Sequence, residues 1–286
     1  MNEQEKRLYN DVMFLTEIQP ARNYNNIESL EKAAEYISRN LEETGYETAA
    51  QTWMFSGREY KNILASYRPE KKRRLTVGAH YDVAGDQPGA DDNASGIAGL
   101  LETARLVKKH EPDTEFGIDF VAYCLEEPPF FGTTTMGSHV HARSLHNNNT
   151  DIAGMICYEM IGYFSDEKGS QEFPIPALSL IYPSKGNFIM VVGIDEHKDF
   201  TGKIHSLMSK GSEIDVRMIS FPDGESLAGM SDQRNYWKFG YPAVMINDTS
   251  QFRNKNYHQV SDTIDTLDFK KMAAVVNSTY NAIRWL

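Results

Sequence analysis

The sequence has little cysteine: only Cys124 and Cys157 occur among 286 residues. Each lies in an apolar run, and cysteines in that setting are typical of small core residues in a reducing compartment. The two are also far from the close spacing of a CxxC redox motif. We therefore expect buried structural cysteines and no redox chemistry.

Long apolar runs are also missing. No window of about 18 apolar residues exists that could span a bilayer. The first residues, MNEQEKRLYNDVMFLTEIQP, lack the apolar core of a signal peptide. We therefore expect a cytoplasmic protein that does not enter a membrane.

Basic residues are outnumbered, with 29 Lys and Arg against 40 Asp and Glu, which gives a formal net charge of -11. This charge argues against nucleic acid or an anionic membrane as a partner, because both would be repelled. The basic run from Lys71 to Arg74 is interpreted as a solvated turn before a strand. No repeat or low-complexity stretch divides the chain, so residues 1–286 are expected to form one domain.

Strand and helix patterns alternate along most of the chain. Helical spacing predicts helices over 26–44, 94–108, 136–145, 198–209, 233–239 and 268–283. Short apolar runs predict strands over 75–79, 117–125, 152–158, 187–194, 215–219 and 243–246, and residues 46–67 are typical of two strands joined at Ser56 and Gly57. This alternation predicts an α/β layered sheet with helices on both faces. Ligands of such sheets lie beyond the carboxyl ends of the strands.

The stretch from Gly78 to Gly96, GAHYDVAGDQPGADDNASG, carries the first candidate site residues. It ends an apolar strand with His80 and Asp82 and opens a helix with Asp91 and Asp92. Neutral imidazole and carboxylate oxygens are ligands that a Zn²⁺ site uses when one position must stay open for water. The stretch therefore predicts metal-assisted hydrolysis.

Further candidates follow other apolar runs. Glu126 and Glu127 come directly after a predicted strand, Glu159 follows the next one, and His258 lies in a late loop. Adjacent carboxylates at a buried edge are costly unless a cation or a shared proton offsets them. Two such acids can also take different roles: one binds a metal while the other takes a proton from water.

These residues stand in motifs that resemble the co-catalytic zinc aminopeptidases of the M28 metallopeptidase family, which also includes glutamate carboxypeptidases and glutaminyl cyclases. The resemblance spans roughly residues 75 to 270 in the expected order. The matching segments are GAHYD, PGADDNASG, LEEPPFFGT with MGS, YEMIGYF, MSDQ and NYHQVSDTIDTLDF. Several motifs in order are far more specific than any single one.

The resemblance implies a zinc-exopeptidase fold with a mixed sheet, a peptide substrate, and a site for two Zn²⁺ ions. By that resemblance Asp91 bridges the two ions, His80 and Glu159 complete one, and Glu127 and His258 complete the other. It further implies a cis peptide bond after Asp91.

The same resemblance makes Glu126 the general base that takes a proton from the bound water and passes it to the leaving amine. Asp82 would orient His80 from behind. We thus expect Glu126 and Asp82 to be the catalytic pair beside the five metal ligands.

The chain departs from the family pattern at two positions. Family members often have Asp where this chain has Glu159. Because the Glu side chain is longer, its backbone must lie farther from the metal. The family's SDH motif is Ser231-Asp232-Gln233 here. Because that His is not a usual ligand, we expect an altered pocket polarity and retained activity.

Two other functions remain open from the sequence. A glutaminyl cyclase would use one zinc and form pyroglutamate with release of ammonia. A domain of the same fold that lost its chemistry would only bind a partner, because fold alone does not settle function. His139 and His141 are interpreted as structural. The aromatic residues near the motifs either line a substrate pocket or pack in the core: Phe130, Phe131, Tyr163, Phe164 and Tyr257.

Overall fold

The computed structural model describes residues 1–225 and 227–286. Its strands are β1 (Thr48–Phe55), β2 (Arg58–Tyr67), β3 (Arg73–His80), β4 (Gly117–Tyr123), β5 (Asp151–Glu159), β6 (Phe188–Ile194), β7 (Asp215–Phe221) and β8 (Ala243–Asn247). Its α-helices are α1 (Glu3–Thr16), α2 (Ile27–Glu43), α3 (Gly96–His110), α4 (Gly137–Asn147), α5 (Lys198–Ser209), α6 (Gln233–Trp237) and α7 (Phe269–Trp285).

The strands form one eight-stranded mixed sheet in the order β1-β2-β4-β3-β5-β8-β6-β7. The four central strands, β4, β3, β5 and β8, run parallel to one another. Strands β1 and β2 form an antiparallel hairpin at one edge, and β6 pairs antiparallel with β8 on the other side. The carboxyl ends of the four central strands therefore meet at one edge of the sheet.

Two apolar cores cover the two faces of the sheet. One core packs side chains of α1, α2, α3, α5 and α7 against the sheet, and the other packs side chains of α4 and α6. The central strand β3 is buried from Arg74 to His80, as expected for a parallel strand covered on both faces. Cys124 and Cys157 both lie buried with free thiols.

The sequence-based fold class is confirmed: the structure is an α/β mixed sheet with helices on both faces. Helix α1 was not predicted, although its signals are present. Asn2 and Glu5 form a reciprocal capping box, and Leu8, Val12 and Leu15 give one buried face. None of the described helices is long and apolar enough to cross a bilayer.

Candidate metal centre

The first group of expected ligands meets where β3 and β5 end. His80 is the last residue of β3, and its Nε2 lies 3.1 Å from Oε2 of Glu159, the last residue of β5. The same Nε2 lies 3.5 Å from Oδ1 of Asp92. The three side chains are buried, and their ligand atoms lie within 4.8 Å of one another.

A second group forms around His258. Its Nε2 lies 3.1 Å from Oδ2 of Asp92 and 3.2 Å from Oε2 of Glu127. The loop after β4 delivers Glu127, and the loop after β8 delivers His258. Asp92 thus belongs to both groups, with one carboxylate oxygen facing each imidazole.

The expected position of Asp91 between the two groups is wrong, because the structure places its neighbour there. The carboxylate of Asp91 points away from the imidazoles: Oδ1 accepts from the backbone N–H of Gly162 at 2.9 Å, and Oδ2 accepts from Nδ2 of Asn254 at 2.8 Å. Its oxygens are thus occupied by protein donors. Burial, together with the charge of Asp92, raises the pKa of this carboxyl.

Asp262 holds the Asp91–Asp92 segment from behind. Its Oδ1 accepts from the N–H of Asp91 at 2.9 Å and its Oδ2 from the N–H of Asp92 at 3.1 Å. The segment lies in a kinked turn, Ala90–Ser95, whose residues Asp92 and Asn93 have non-helical backbone angles, and this turn leads into α3. The cis peptide bond joins Asp92 to Asn93, so the prediction of a cis bond directly after Asp91 is wrong by one residue.

Asp262 was missed from the sequence. Ser261 and Asp262 stand inside the matching segment NYHQVSDTIDTLDF, so that motif is the signal that could have identified it.

Asp82 lies behind both His80 and the two glutamates. Its Oδ1 is 3.6 Å from Nδ1 of His80, and its backbone oxygen is 3.2 Å from the same nitrogen. Its two carboxylate oxygens also accept from the backbone N–H groups of Glu126 and Glu127, each at 3.2 Å. Asp82 therefore fixes the loop after β4 as well as touching the imidazole.

Glu126 lies beside the cluster. Its Oε2 is 3.9 Å from Nε2 of His80, and its Oε1 is buried without a hydrogen-bond partner among the described residues. Burial and the charges of Glu127 and Glu159 raise the pKa of Glu126 well above its usual range.

Electrostatics at the cluster reflect the crowding of acids. Burial and the charge of Asp92 raise the pKa of Glu127 to about 8. Burial acts to lower the pKa of His258, but hydrogen bonds to Asp92 and Glu127 raise it to about 10. Burial likewise opposes the charges of Glu159 and Glu126 at His80, whose pKa still rises well above its usual range. The cluster thus favours bound positive charge.

The segment after residue 229 also reaches the cluster. Ser231 Oγ donates to Oε2 of Glu159 at 2.5 Å. Both carboxylate oxygens of buried Asp232 lack a hydrogen-bond partner among the described residues, and burial raises the pKa of this group to about 7. Gln233 turns away and donates to the backbone oxygen of Ala228 at 2.7 Å. Asp232 stands inside the MSDQ motif but was not predicted as a site residue.

Among the aromatic candidates, Tyr257 faces the cluster. Its ring stacks on His258 with centroids 3.9 Å apart. Burial and then the charges of Asp92 and Glu127 raise the pKa of its phenol. Phe130 packs instead in the core, edge-on to Tyr24.

The two other histidines weighed from the sequence lie outside the cluster. His139 is buried near the ring of Phe239. His141 is buried, and its Nδ1 lies 2.7 Å from the hydroxyl of Tyr236. Their structural interpretation agrees with these contacts.

An apolar cavity opens next to Glu159. Its wall includes Asn247, whose Nδ2 donates to the backbone oxygen of Glu159 at 2.6 Å. Met230, directly before Ser231, lies on the same cavity. Much of the remaining lining is apolar and includes Phe173, Met190, Val192, Ile219 and Phe252, while Gln171, Glu172, Thr249, Ser250 and Gln251 contribute polar groups.

The residues present fit Zn²⁺ by their own chemistry. The Nε2 atoms of His80 and His258 are buried and have no hydrogen-bond partner among the described residues, although carboxylate oxygens surround them. Imidazole nitrogen and carboxylate oxygen are the donors of catalytic zinc sites. A divalent cation in each group would offset the repulsion among buried acids.

Among proteins of known sequence, the chain is 41% identical over 280 residues to the uncharacterized protein YfbL of Escherichia coli K12, covering 95% of this chain and 85% of that protein. It is 29% identical to a probable zinc metalloprotease of Phaeosphaeria nodorum, covering 76% of this chain. It spans only 51% of the length of that fungal relative.

Solved structures share the fold. The LapA aminopeptidase of Legionella pneumophila superposes with a TM-score of 0.78 at 18% identity, covering 98% of this chain and 71% of that one. A glutaminyl cyclase of Bacteroides thetaiotaomicron superposes with a TM-score of 0.71 at 20% identity, covering 98% and 97%. The sequence model of peptidase family M28 matches residues 62–283, which include all the clustered side chains. The chain therefore belongs to peptidase family M28.

Proposed function

We propose that this protein is a metal-dependent aminopeptidase that releases N-terminal residues from peptides at a carboxylate-bridged site for two Zn²⁺ ions. The observation that carries the proposal is Asp92, whose two oxygens lie 3.5 Å and 3.1 Å from the free nitrogens of His80 and His258. One carboxylate that faces two imidazoles is suited to two cations. The proposal also takes residues 1–286 as one cytoplasmic peptidase domain.

In this proposal each ion takes an imidazole and a glutamate. His80 and Glu159 would hold one, and Glu127 and His258 would hold the other, with Asp92 shared. When bound, the two ions would polarise the scissile carbonyl and acidify the attacking water.

Glu126 would act as the general base. Its Oε1 is buried, free of protein partners and next to the cluster, so it can accept the proton of the attacking water. The same carboxyl would then give that proton to the leaving amine. Asp82 would position Glu126 through the N–H that it accepts at 3.2 Å. Asp82 would also orient His80, the role expected for it from the sequence, through the contact of 3.6 Å between Oδ1 and Nδ1.

The apolar cavity would receive the side chain of the N-terminal residue. Its wall reaches the cluster through Asn247, which donates to the backbone oxygen of Glu159, and through Met230, the residue before Ser231. A pocket with a mostly apolar lining and few polar groups selects apolar side chains. We therefore expect a preference for substrates that begin with an apolar residue such as Leu.

A glutaminyl cyclase is the second candidate, because the likeness to the Bacteroides cyclase extends over 97% of that chain. A cyclase needs one metal and leaves the peptide length unchanged. It would release ammonia from an N-terminal Gln.

The deciding experiment is mass spectrometry of a mixed short-peptide pool incubated with zinc-loaded protein, with a chelated sample as the control. Metal-dependent loss of single N-terminal residues, fastest from apolar N-termini, is the expected result. Loss of ammonia from Gln peptides alone would instead indicate a cyclase. No change in either sample would contradict both enzyme functions and favour a binding role.

A further inference from the structure

Arg234 is a shielded cation at the edge of the cluster with little to neutralise it. Its side chain is only 11% exposed, and its Nε is buried without a hydrogen-bond partner among the described residues. Within the described part of the chain it forms one ion pair, at 3.5 Å, with Glu225, whose side chain is 76% exposed. An ion pair with so exposed a partner contributes little. The Nε–H donor thus has no protein partner among the described residues, and the positive charge of the guanidinium is weakly compensated.

The guanidinium packs over an aromatic ring. Its central carbon lies 4.6 Å from the ring centroid of Phe131, which fits a cation–π contact. The neighbouring Gly132 has a φ of +77°, and a Cβ there would lie 3.3 Å from Nη1 of Arg234. The absence of a side chain at Gly132 leaves the guanidinium room beside the ring.

The two residues that form this small site, Arg234 and Phe131, each donate a backbone hydrogen bond to a residue in or beside the cluster. On one side, the N–H of Arg234 donates to the backbone oxygen of Ser231, whose hydroxyl donates to Glu159. On the other side, the N–H of Phe131 donates to the backbone oxygen of Glu127 at 3.3 Å. Arg234 is therefore linked through its backbone to a residue that contacts Glu159, and its ring partner Phe131 is linked through its backbone to Glu127.

A guanidinium suits a carboxylate, because its planar fork of N–H donors can bind both oxygens at once. The carboxylate that pairs with Arg234 among the described residues belongs to the exposed Glu225, so a carboxylate of a ligand can compete with it for the guanidinium. In a free dipeptide the C-terminal carboxylate belongs to the leaving residue. Because one residue spans only about 3.3–3.6 Å, that carboxylate lies next to the scissile bond. An acidic side chain on that residue would offer the same chemistry.

We propose that Arg234, stacked on Phe131, binds a carboxylate of the leaving residue and so makes the enzyme selective for peptides with a carboxylate next to the scissile bond. This inference rests on the proposed aminopeptidase function. It adds a specificity determinant outside the metal ligands and the general base.

The test compares three substrates: Leu-Gly, Leu-Gly amide and Leu-Glu amide. The zinc-loaded wild-type protein should cleave Leu-Gly with a kcat/KM about 10- to 100-fold higher than Leu-Gly amide, because one charge-assisted contact is lost in the amide. Leu-Glu amide shows whether a side-chain carboxylate can replace the terminal one.

Variants at Arg234 assign the effect to this side chain. In Arg234→Met the preference for Leu-Gly over its amide should fall to within about threefold, mainly through a higher KM, and Arg234→Lys should restore part of it. Lys238→Met is the matched control, since Lys238 is an exposed cation just after the same helix and should leave the preference unchanged.

The outcomes separate this inference from the proposed function. Equal rates for the three substrates in the wild-type protein would overturn the role of Arg234 and leave the aminopeptidase standing. A preference that persists in Arg234→Met would do the same. Hydrolysis of none of the three would overturn the proposed function and the inference with it.

Discussion

Two neighbouring aspartates have different surroundings at the entrance to α3. Asp92 faces His80 and His258, whereas both oxygens of Asp91 accept hydrogen bonds from Gly162 and Asn254. A carboxylate committed to buried protein donors is poorly placed to bind metal, while one that faces bare imidazole nitrogens is well placed. We therefore assign the shared position to Asp92 and a structural role to Asp91.

Substitution by the isosteric amide separates the two roles. Asp92→Asn should lower the zinc bound per chain from two to one or fewer, because an amide offers a single neutral oxygen to two ions. Asp91→Asn should keep its zinc but lower the free energy of unfolding by about 1–3 kcal/mol, because the amide nitrogen faces buried donors.

Metal analysis by mass spectrometry and urea unfolding measure these two effects. Loss of zinc in Asp91→Asn with full binding in Asp92→Asn would contradict the assignment.

The sequence identified most of the cluster but could not choose between these aspartates. Residue types and motif order predicted His80, Glu127, Glu159 and His258, and the structure brings all four together. The choice between Asp91 and Asp92 depends on backbone direction inside one turn, which neither composition nor spacing reveals. The left-handed backbone of His258, a non-glycine residue with a φ of +57°, was likewise not predictable, although the residue itself was identified.

At the scale of elements, α4 and α6 are joined by a buried chain of polar groups. Nδ1 of His141 on α4 lies 2.7 Å from the hydroxyl of Tyr236 on α6, which in turn lies 2.7 Å from the hydroxyl of Tyr123 on β4. Burial lowers the pKa of His141 to about 4. The folded protein therefore holds this imidazole neutral.

This burial makes stability depend on pH. The folded-state pKa of about 4 lies below the unfolded value of about 6.5, so the unfolded chain binds the proton first as the pH falls. Relative to His141→Asn, the wild-type protein should lose about 3 kcal/mol of unfolding free energy between pH 6.5 and pH 4. Above pH 6.5 the difference between the two proteins should stay constant.

Urea unfolding at several pH values gives the unfolding free energy of both proteins as a function of pH. The contributions of the other titrating groups cancel when one curve is subtracted from the other. A difference that does not change with pH would rule out a buried neutral His141.

Elements were predictable wherever the apolar pattern was strong. Helix α5 occupies the predicted residues 198–209, and the hairpin of β1 and β2 turns at Ser56 and Gly57 as expected. Helix α1 was missed although its capping box was visible. The sheet order was not predictable, because it depends on which strands pair across long stretches of sequence. Strand β5, for example, pairs with β8, where Met155 lies opposite Ala243.

At the scale of the whole molecule, the parallel centre of the sheet brings distant segments to one edge. His80, Glu126, Glu159 and His258 come from positions spread over most of the chain and meet because β3, β4, β5 and β8 end side by side. Asp82 and Asp262 then hold the loops by accepting paired N–H groups. The fold thus supplies a rigid frame for a concentrated cluster of acids.

The central claim is that this frame supports hydrolysis by two metal ions with Glu126 as the base. The most direct measurement is the zinc content and the turnover of Leu-Gly by Glu126→Gln beside the wild-type protein. We predict that the variant keeps two zinc ions per chain and loses at least about 100-fold in kcat, because the amide cannot take the proton. Unchanged turnover in a zinc-loaded variant would contradict the account.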